Sequence, residues 1–129
     1  MLGIGDRIGS RMATRLTLRL DFEGNRRLGP GKIALLEAVQ RTGSISAAGR
    51  EFGMSYRRAW LLVSELNAMF AGPLVEARIG GRTGGGAELT PLGQKVAALY
   101  RGAETKAVRT AAEEIANLES ALSQTAGKD

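Results

Sequence analysis

The first regular pattern in the chain is an alternation of apolar and polar side chains. Leu16, Leu18, Leu20 and Phe22 are separated by single, mostly polar residues within 15–22. A period of two predicts a β-strand with one buried face, and the following Gly24-Asn25 predicts its end.

The pattern then changes to apolar residues spaced three or four apart, which is typical of amphipathic helices. A first helix is predicted over 30–42, with Gly43 as its left-handed stop. A second, short helix is predicted from an N-cap at Ser46 to Gly53. Its inward-facing side chains are predicted to be Ala48 and Phe52, and Gly49 beside Ala48 is small enough for another helix to approach closely.

A third helix is predicted to start at an N-cap, Ser55, and to continue to residue 70 before Ala71-Gly72-Pro73. Strand patterns at 74–79 and 87–89 then flank the glycine-rich segment 80–86. Two strands around such a loop predict a β-hairpin, which we call the wing.

The last pattern is a long helix over 91–123, introduced by Thr90 as N-cap and by Pro91. A domain of this size cannot cover the whole apolar stripe of so long a helix, so we expect a second copy of the chain to pack against it. The predicted dimerisation residues are Leu92, Val96, Leu99, Ala103, Ala107, Ala111, Ile115, Leu118 and Leu122. Basic residues dominate the first part of this helix and acidic residues the second, which favours an antiparallel pair.

These patterns together predict a mainly α fold with a small β-sheet (α+β), namely a winged helix-turn-helix followed by a long C-terminal dimerisation helix. We predict a flexible arm at 1–13, a winged helix-turn-helix DNA-binding domain at 14–90, a dimerisation helix at 91–123 and a disordered tail at 124–129.

Composition narrows the function. The 129 residues contain no Cys and no His, which excludes thiolate or imidazole metal sites, Cys nucleophiles and Ser-His-Asp triads, so we expect neither a metal site nor an enzyme. The formal charge of +5 favours a polyanionic partner, and its excess lies in residues 1–90. No apolar run approaches the roughly 20 residues of a membrane span, and no export signal is present, so we expect a cytoplasmic protein without a membrane partner.

The predicted third helix carries the candidate function, because the first turn of such a helix presents donors to the major groove of DNA. Ser55, Tyr56, Arg57 and Arg58 form this turn, and Arg57 is the best candidate to read a base edge. The other candidate DNA contacts are Ser44, Ser46, Trp60, Arg78, Arg82 and Thr83. Trp60 is also compatible with a place in the core. The alternative function is a winged-helix module that binds protein without binding DNA.

Two segments also resemble a known family. The helix-turn-helix residues Gly43-Ser44-Ile45-Ser46-Ala47-Ala48 and Gly53-Met54-Ser55-Tyr56-Arg57-Arg58-Ala59-Trp60 resemble those of the molybdate-responsive ModE-type regulators and, more distantly, of LysR-type regulators. Leu74-Val75-Glu76 and the residues from Gly80 to Gly93 resemble the ModE-type wing and the start of the helix that follows it. The resemblance implies a homodimeric transcription regulator of molybdenum metabolism, bound to a near-palindromic operator in double-stranded DNA through Ser55, Tyr56, Arg57 and the wing around Arg82. Full-length members carry a molybdate-binding domain, which this chain lacks before Asp129, so we expect no cofactor in this chain, whether it is a natural short form or a truncated one.

Overall fold

The computed structural model describes residues 14–79 and 86–124. Its elements in chain order are β1 (Leu20–Phe22), β2 (Arg26–Leu28), α1 (Pro30–Thr42), α2 (Ile45–Glu51), α3 (Tyr56–Met69), β3 (Val75–Arg78), β4 (Gly86–Leu89), α4 (Pro91–Thr110) and α5 (Ala112–Ser120). These elements confirm the mainly α fold with small β-hairpins. The predicted arm at 1–13, the loop tip at 80–85 and the last five residues of the predicted tail lie outside the described residues.

The alternating N-terminal segment forms a hairpin where a single strand was predicted. β1 is three residues long and pairs antiparallel with β2, with Leu20 opposite Leu28. Gly24 and Asn25 both have positive φ angles, 77° and 60°, so the predicted strand end is a tight turn between two strands.

The three short helices follow the predicted order. Gly43 ends α1 with a φ of 74°, and its amide donates to the Val39 carbonyl at 2.7 Å, as the left-handed stop requires. Gly49 on α2 is buried, and a β-carbon there would come within 2.8 Å of the Ala59 β-carbon on α3. The expectation that small residues let the second helix approach its neighbour closely is therefore confirmed.

Two details of α2 correct the prediction. The helix starts two residues earlier than expected, because the Ser44 hydroxyl, and not that of Ser46, accepts the capping hydrogen bond from the Ala47 amide at 3.0 Å. Phe52, predicted to face inward, is 44% exposed, since α2 ends before it and its backbone turns towards Gly53. Ala48 is fully buried, as predicted.

The described residues within 18–102 form one compact unit, and its core lies between α1, α3, the paired strands β3 and β4 and the start of α4. Ile33, Leu35, Leu36, Leu66 and Leu74 are completely buried there. Tyr100 of α4 is 2% exposed, and its hydroxyl donates to the Leu18 carbonyl.

An ion pair and a close glycine contact also tie α4 into this unit. Arg101 donates two hydrogen bonds of 2.9 Å to the Glu37 carboxylate on α1. The hydrogen bond from Arg101 lowers the pKa of Glu37, although partial burial opposes the shift. Gly93 lies so close to the residue before β3 that a β-carbon there would come within 2.1 Å of the Leu74 carbonyl oxygen.

The second unit contains the described residues 103–124 and 14–17. The predicted uninterrupted helix is broken here, because Ala111 has a ψ of 9° and separates α4 from α5. The break is local: Ala111 still donates to the Ala107 carbonyl at 3.0 Å, and Ile115 donates to the Ala111 carbonyl at 2.9 Å. Within the described residues, no helix is both long and apolar enough to cross a lipid bilayer.

Candidate nucleic-acid interface

The first turn of α3 is held by a capped N-terminus. The Ser55 hydroxyl accepts a hydrogen bond of 3.1 Å from the Arg58 amide, which confirms Ser55 as the N-cap. Ala59, Val63 and Leu66 anchor the buried face of the helix. At 100° per residue, Arg57 lies on the opposite, outward face, and its side chain is exposed.

The outward face of α3 also carries exposed apolar side chains. Tyr56 is 55% exposed and Trp60 47%, so Trp60 lies outside the core and the core alternative for it is wrong. Leu61 follows Arg57 by one helical turn and is 51% exposed. Leu61 was missed by the sequence analysis, although its spacing from Arg57 places both on one face.

The charges around the start of α3 are positive and uncompensated. No acidic residue occurs between Ser55 and Ser64. In the described part of the chain, neither Arg57 nor Arg58 forms an ion pair. The helix N-terminus adds its own partial positive charge, so this end of α3 is suited to an anionic partner.

The acidic residues on α2 and α3 are paired elsewhere. Glu51 at the end of α2 forms a close ion pair with Arg41 of α1. Glu65 on the third turn of α3 lies 3.5 Å from the Lys32 amino group. These pairings draw carboxylates away from Arg57 and Arg58.

The two serines of α2 have different roles. Ser44 uses its hydroxyl as the helix cap, whereas the Ser46 hydroxyl accepts a hydrogen bond of 3.0 Å from Arg50. Arg50 is exposed at the end of α2 and adds a cation that the sequence analysis did not select.

The wing is fixed to the rest of the domain at its base. The Gly43 carbonyl accepts a hydrogen bond of 2.9 Å from the Ala87 amide of β4. A β-carbon at Gly43 would lie 2.7 Å from an Arg78 guanidinium nitrogen, and one at Gly86 would lie 3.0 Å from the same atom. Arg78, a predicted DNA contact, therefore packs its guanidinium across the wing base, next to the end of α1. Arg82 and Thr83 lie outside the described residues.

A second connection joins α3 to the wing. The Asn67 side-chain oxygen accepts hydrogen bonds from the Leu74 amide at 2.8 Å and the Val75 amide at 3.0 Å. Its side-chain nitrogen donates to the Val75 carbonyl at 3.1 Å. Asn67 was missed because a single asparagine within a helical pattern carries no signal of such contacts.

The predicted dimerisation residues fall into three groups. Val96 is 7% exposed within the core of the 18–102 unit, and Leu92 packs against that core, so both side chains serve the fold of a single copy. Ala107, Ala111 and Ile115 are half-buried. The exposed members are Leu99, Ala103, Leu118 and Leu122, and the three leucines are 63%, 68% and 64% exposed.

Comparison with known proteins agrees with this geometry. Residues 31–94 match the family of bacterial regulatory helix-turn-helix proteins, lysR family. The chain is 54% identical over 74 residues to the molybdenum-pterin-binding protein MopB of Rhodobacter capsulatus, covering 57% of this chain and 27% of that protein. It is 50% identical over 94 residues to MopA of the same organism, covering 70% of this chain and 36% of the relative.

A third relative, the DNA-binding transcriptional dual regulator ModE of Escherichia coli K12, is 37% identical over 89 residues, which cover 69% of this chain and 34% of the relative. The chain thus spans about a third of the length of the curated relatives it matches. The matched family segment runs from the start of α1 into α4 and includes every described element of the candidate interface. Residues 31–94 of this chain thus form a helix-turn-helix domain of the lysR type.

Proposed function

We propose that this chain is a sequence-specific DNA-binding transcription regulator in which α3 enters the major groove. The observation that carries the proposal is the outward face of α3, where Arg57 and Arg58 stand free of carboxylates at a capped helix N-terminus. Arginine there can donate two hydrogen bonds to the O6 and N7 atoms of guanine. We assign that base contact to Arg57, which is exposed and lies opposite the buried face of α3.

The remaining candidates position the helix on the duplex. Phosphate contacts fix register and carry no direct sequence information. We assign such contacts to Ser55 and Arg58, and to Arg78 from its place at the wing base. Ser44, Ser46, Tyr56, Trp60, Arg82 and Thr83 complete the proposed surface.

The test is a binding titration on a duplex selected from a random pool by the wild-type protein. Arg57→Ala should weaken binding about 5- to 150-fold and relax the preference at one base pair. Arg58→Ala should weaken binding to all sequences and reduce the salt dependence by about one phosphate contact. Arg19→Ala is the matched control, since Arg19 is exposed and paired with Asp21 outside α3.

Two results would contradict the proposal. One is that the Arg57→Ala and Arg58→Ala variants both bind DNA as tightly as the wild type. The other is failure of the wild-type protein to bind any duplex in a salt-dependent manner, which would favour the protein-binding module.

We further propose that two copies bind a near-palindromic operator, paired antiparallel through the C-terminal helices. The exposed leucines Leu99, Leu118 and Leu122 support a partner helix, since isolated apolar side chains of this size gain from burial. Leu118→Glu should convert a dimer to a monomer in analytical ultracentrifugation. Because the chain has no Cys, a Ser120→Cys variant reports orientation directly: an intersubunit disulfide at that helix end would indicate a parallel pair and refute the antiparallel one.

The names of the relatives support a link to molybdenum. Two are called molybdenum-pterin-binding proteins, and a relative from Azotobacter vinelandii is called molybdenum transport protein ModE, at 40% identity over 94 residues. We propose that the operators of this chain lie beside genes of molybdenum metabolism. Footprinting on genomic fragments, with and without molybdate, tests the link, and protected sites that lie only beside unrelated genes would contradict it.

A further inference from the structure

Exposed apolar side chains are concentrated at the helix-turn-helix. Of the nine large hydrophobic side chains that are exposed in the described residues, four lie between positions 52 and 61: Phe52, Tyr56, Trp60 and Leu61. Tyr and Trp carry polar groups that tolerate water. Leu61 has no such group, yet it is 51% exposed in the middle of the face that carries Arg57.

The position of Leu61 relative to Arg57 follows from helix geometry. Four residues advance about 6 Å along the axis and turn by about 40°, so both side chains project towards the same surface. Base pairs are stacked about 3.4 Å apart. Leu61 therefore lies within about two base-pair steps of the edge assigned to Arg57, whatever the tilt of the helix in the groove.

The chemistry of the groove limits what Leu61 can face. The edges of guanine, adenine and cytosine present hydrogen-bonding groups, whereas thymine presents a methyl group beside one acceptor. Leucine offers no donor or acceptor, so placing it against a polar edge removes water without replacing the hydrogen bonds. Contact with a thymine methyl group instead buries apolar surface on both sides.

We propose that Leu61 is a specificity-determining residue that selects thymine through its 5-methyl group, within about two base pairs of the pair read by Arg57. The proposal rests on the proposed DNA-binding function. DNA is the partner that best fits this apolar surface. The stretch from Ala59 to Ser64 carries no charge, and the arginines just before it would attract a duplex to the same face of the helix.

The test replaces single thymines by deoxyuridine, which removes only the methyl group, in a duplex selected by the wild-type protein from a random pool. One substitution should weaken wild-type binding about fourfold, the value of one buried methyl-sized group. The same substitution should have no effect on Leu61→Ala, whereas Leu61→Met should retain the sensitivity. Leu61→Gln, selected against a fresh pool, should exchange thymine for adenine at that position, because glutamine pairs with the N6 and N7 atoms of adenine.

The outcomes separate the two levels of the argument. If the wild-type protein selects no sequence, the proposed function fails and the thymine contact fails with it. The role of Leu61 is refuted, while DNA binding stands, if the wild-type protein selects a sequence but deoxyuridine is tolerated at every thymine. The same conclusion follows if deoxyuridine weakens binding by Leu61→Ala as much as binding by the wild type. Circular dichroism of Leu61→Ala checks that this exposed position leaves the fold intact.

Discussion

Asn67, which joins α3 to the wing, forms the hydrogen bonds to Val75 that a neighbouring strand would otherwise form. Val75 lies opposite Leu89 in the β3–β4 ladder, while Thr90 donates to the Leu74 carbonyl at 2.9 Å. Since backbone groups alternate sides along an antiparallel strand, the amide and carbonyl of Val75 point away from β4. Asn67 meets both groups, as the backbone of a third strand would.

Replacement of this side chain should be costly. Asn67→Ala removes three hydrogen bonds from backbone groups of Leu74 and Val75, residues that are 0% and 4% exposed. At about 1 kcal/mol for each bond, the free energy of unfolding should fall by about 3 kcal/mol. Asn67→Asp keeps both acceptor contacts and loses only the donor, so its loss should be smaller, although its second oxygen then faces the Val75 carbonyl.

Urea unfolding measures these losses. The slope of the free energy of unfolding against urea concentration should stay unchanged if the native fold is retained. Hydrogen exchange at the Leu74 and Val75 amides should accelerate in Asn67→Ala, which locates the effect at the wing base. Asn117→Ala is the control, because Asn117 is exposed on α5 and should change stability by less than about 0.5 kcal/mol. A loss below about 0.5 kcal/mol for Asn67→Ala would refute the view that this side chain holds the wing.

Three further predictions concern stability. Gly93→Ala should destabilise the fold by about 3 kcal/mol or more, since its β-carbon would meet the Leu74 carbonyl oxygen at 2.1 Å. Gly102→Ala in the same helix meets nothing within 4 Å and should stabilise the fold by about 0.5–1 kcal/mol in urea unfolding. Ser44→Ala should lower the thermal midpoint through loss of a cap worth about 1 kcal/mol, and Ser46→Ala should lower it less; the reverse order would contradict the assigned cap. Because the pKa of Glu37 is lowered in the folded state, its contribution to stability should be complete above the ordinary value of 4.5 and lost as pH falls through the lowered pKa. Glu37→Gln should therefore flatten the profile of stability against pH below about pH 4.5, and identical profiles would contradict the role of its arginine partner.

The sequence predicts the helical part of the fold well because the relevant signals are local. Gly43 and Ser55 mark a helix end and a helix start through groups only three or four residues away. The signal for the outward face of α3 is equally local, since Arg57 can be placed opposite Ala59 and Val63 from helical spacing alone.

The errors arise where two local signals compete. Ser44 and Ser46 are both acceptable caps, and only the backbone of Ser44, extended at φ −152° and ψ 128°, decides between them. Gly24-Asn25 is equally compatible with the end of a strand and with a hairpin turn, and the partner strand Arg26–Leu28 is too short and too polar to show an alternating pattern.

The contacts that orient the wing are of another kind, and this difference bears on how the proposed interface works. Arg78 lies beside Gly43, 35 positions earlier in the chain, and the Ala87 amide reaches the Gly43 carbonyl. No local pattern marks such pairs, because each partner would be unremarkable alone. Yet these contacts, with Asn67, hold the base of the wing against both the end of α1 and the end of α3. If α3 and the wing engage one duplex, their contributions to affinity are coupled through that base. Asn67→Ala should therefore reduce the penalty of Arg82→Ala in a double-mutant cycle on the selected duplex, and strictly additive penalties would show that helix and wing bind independently.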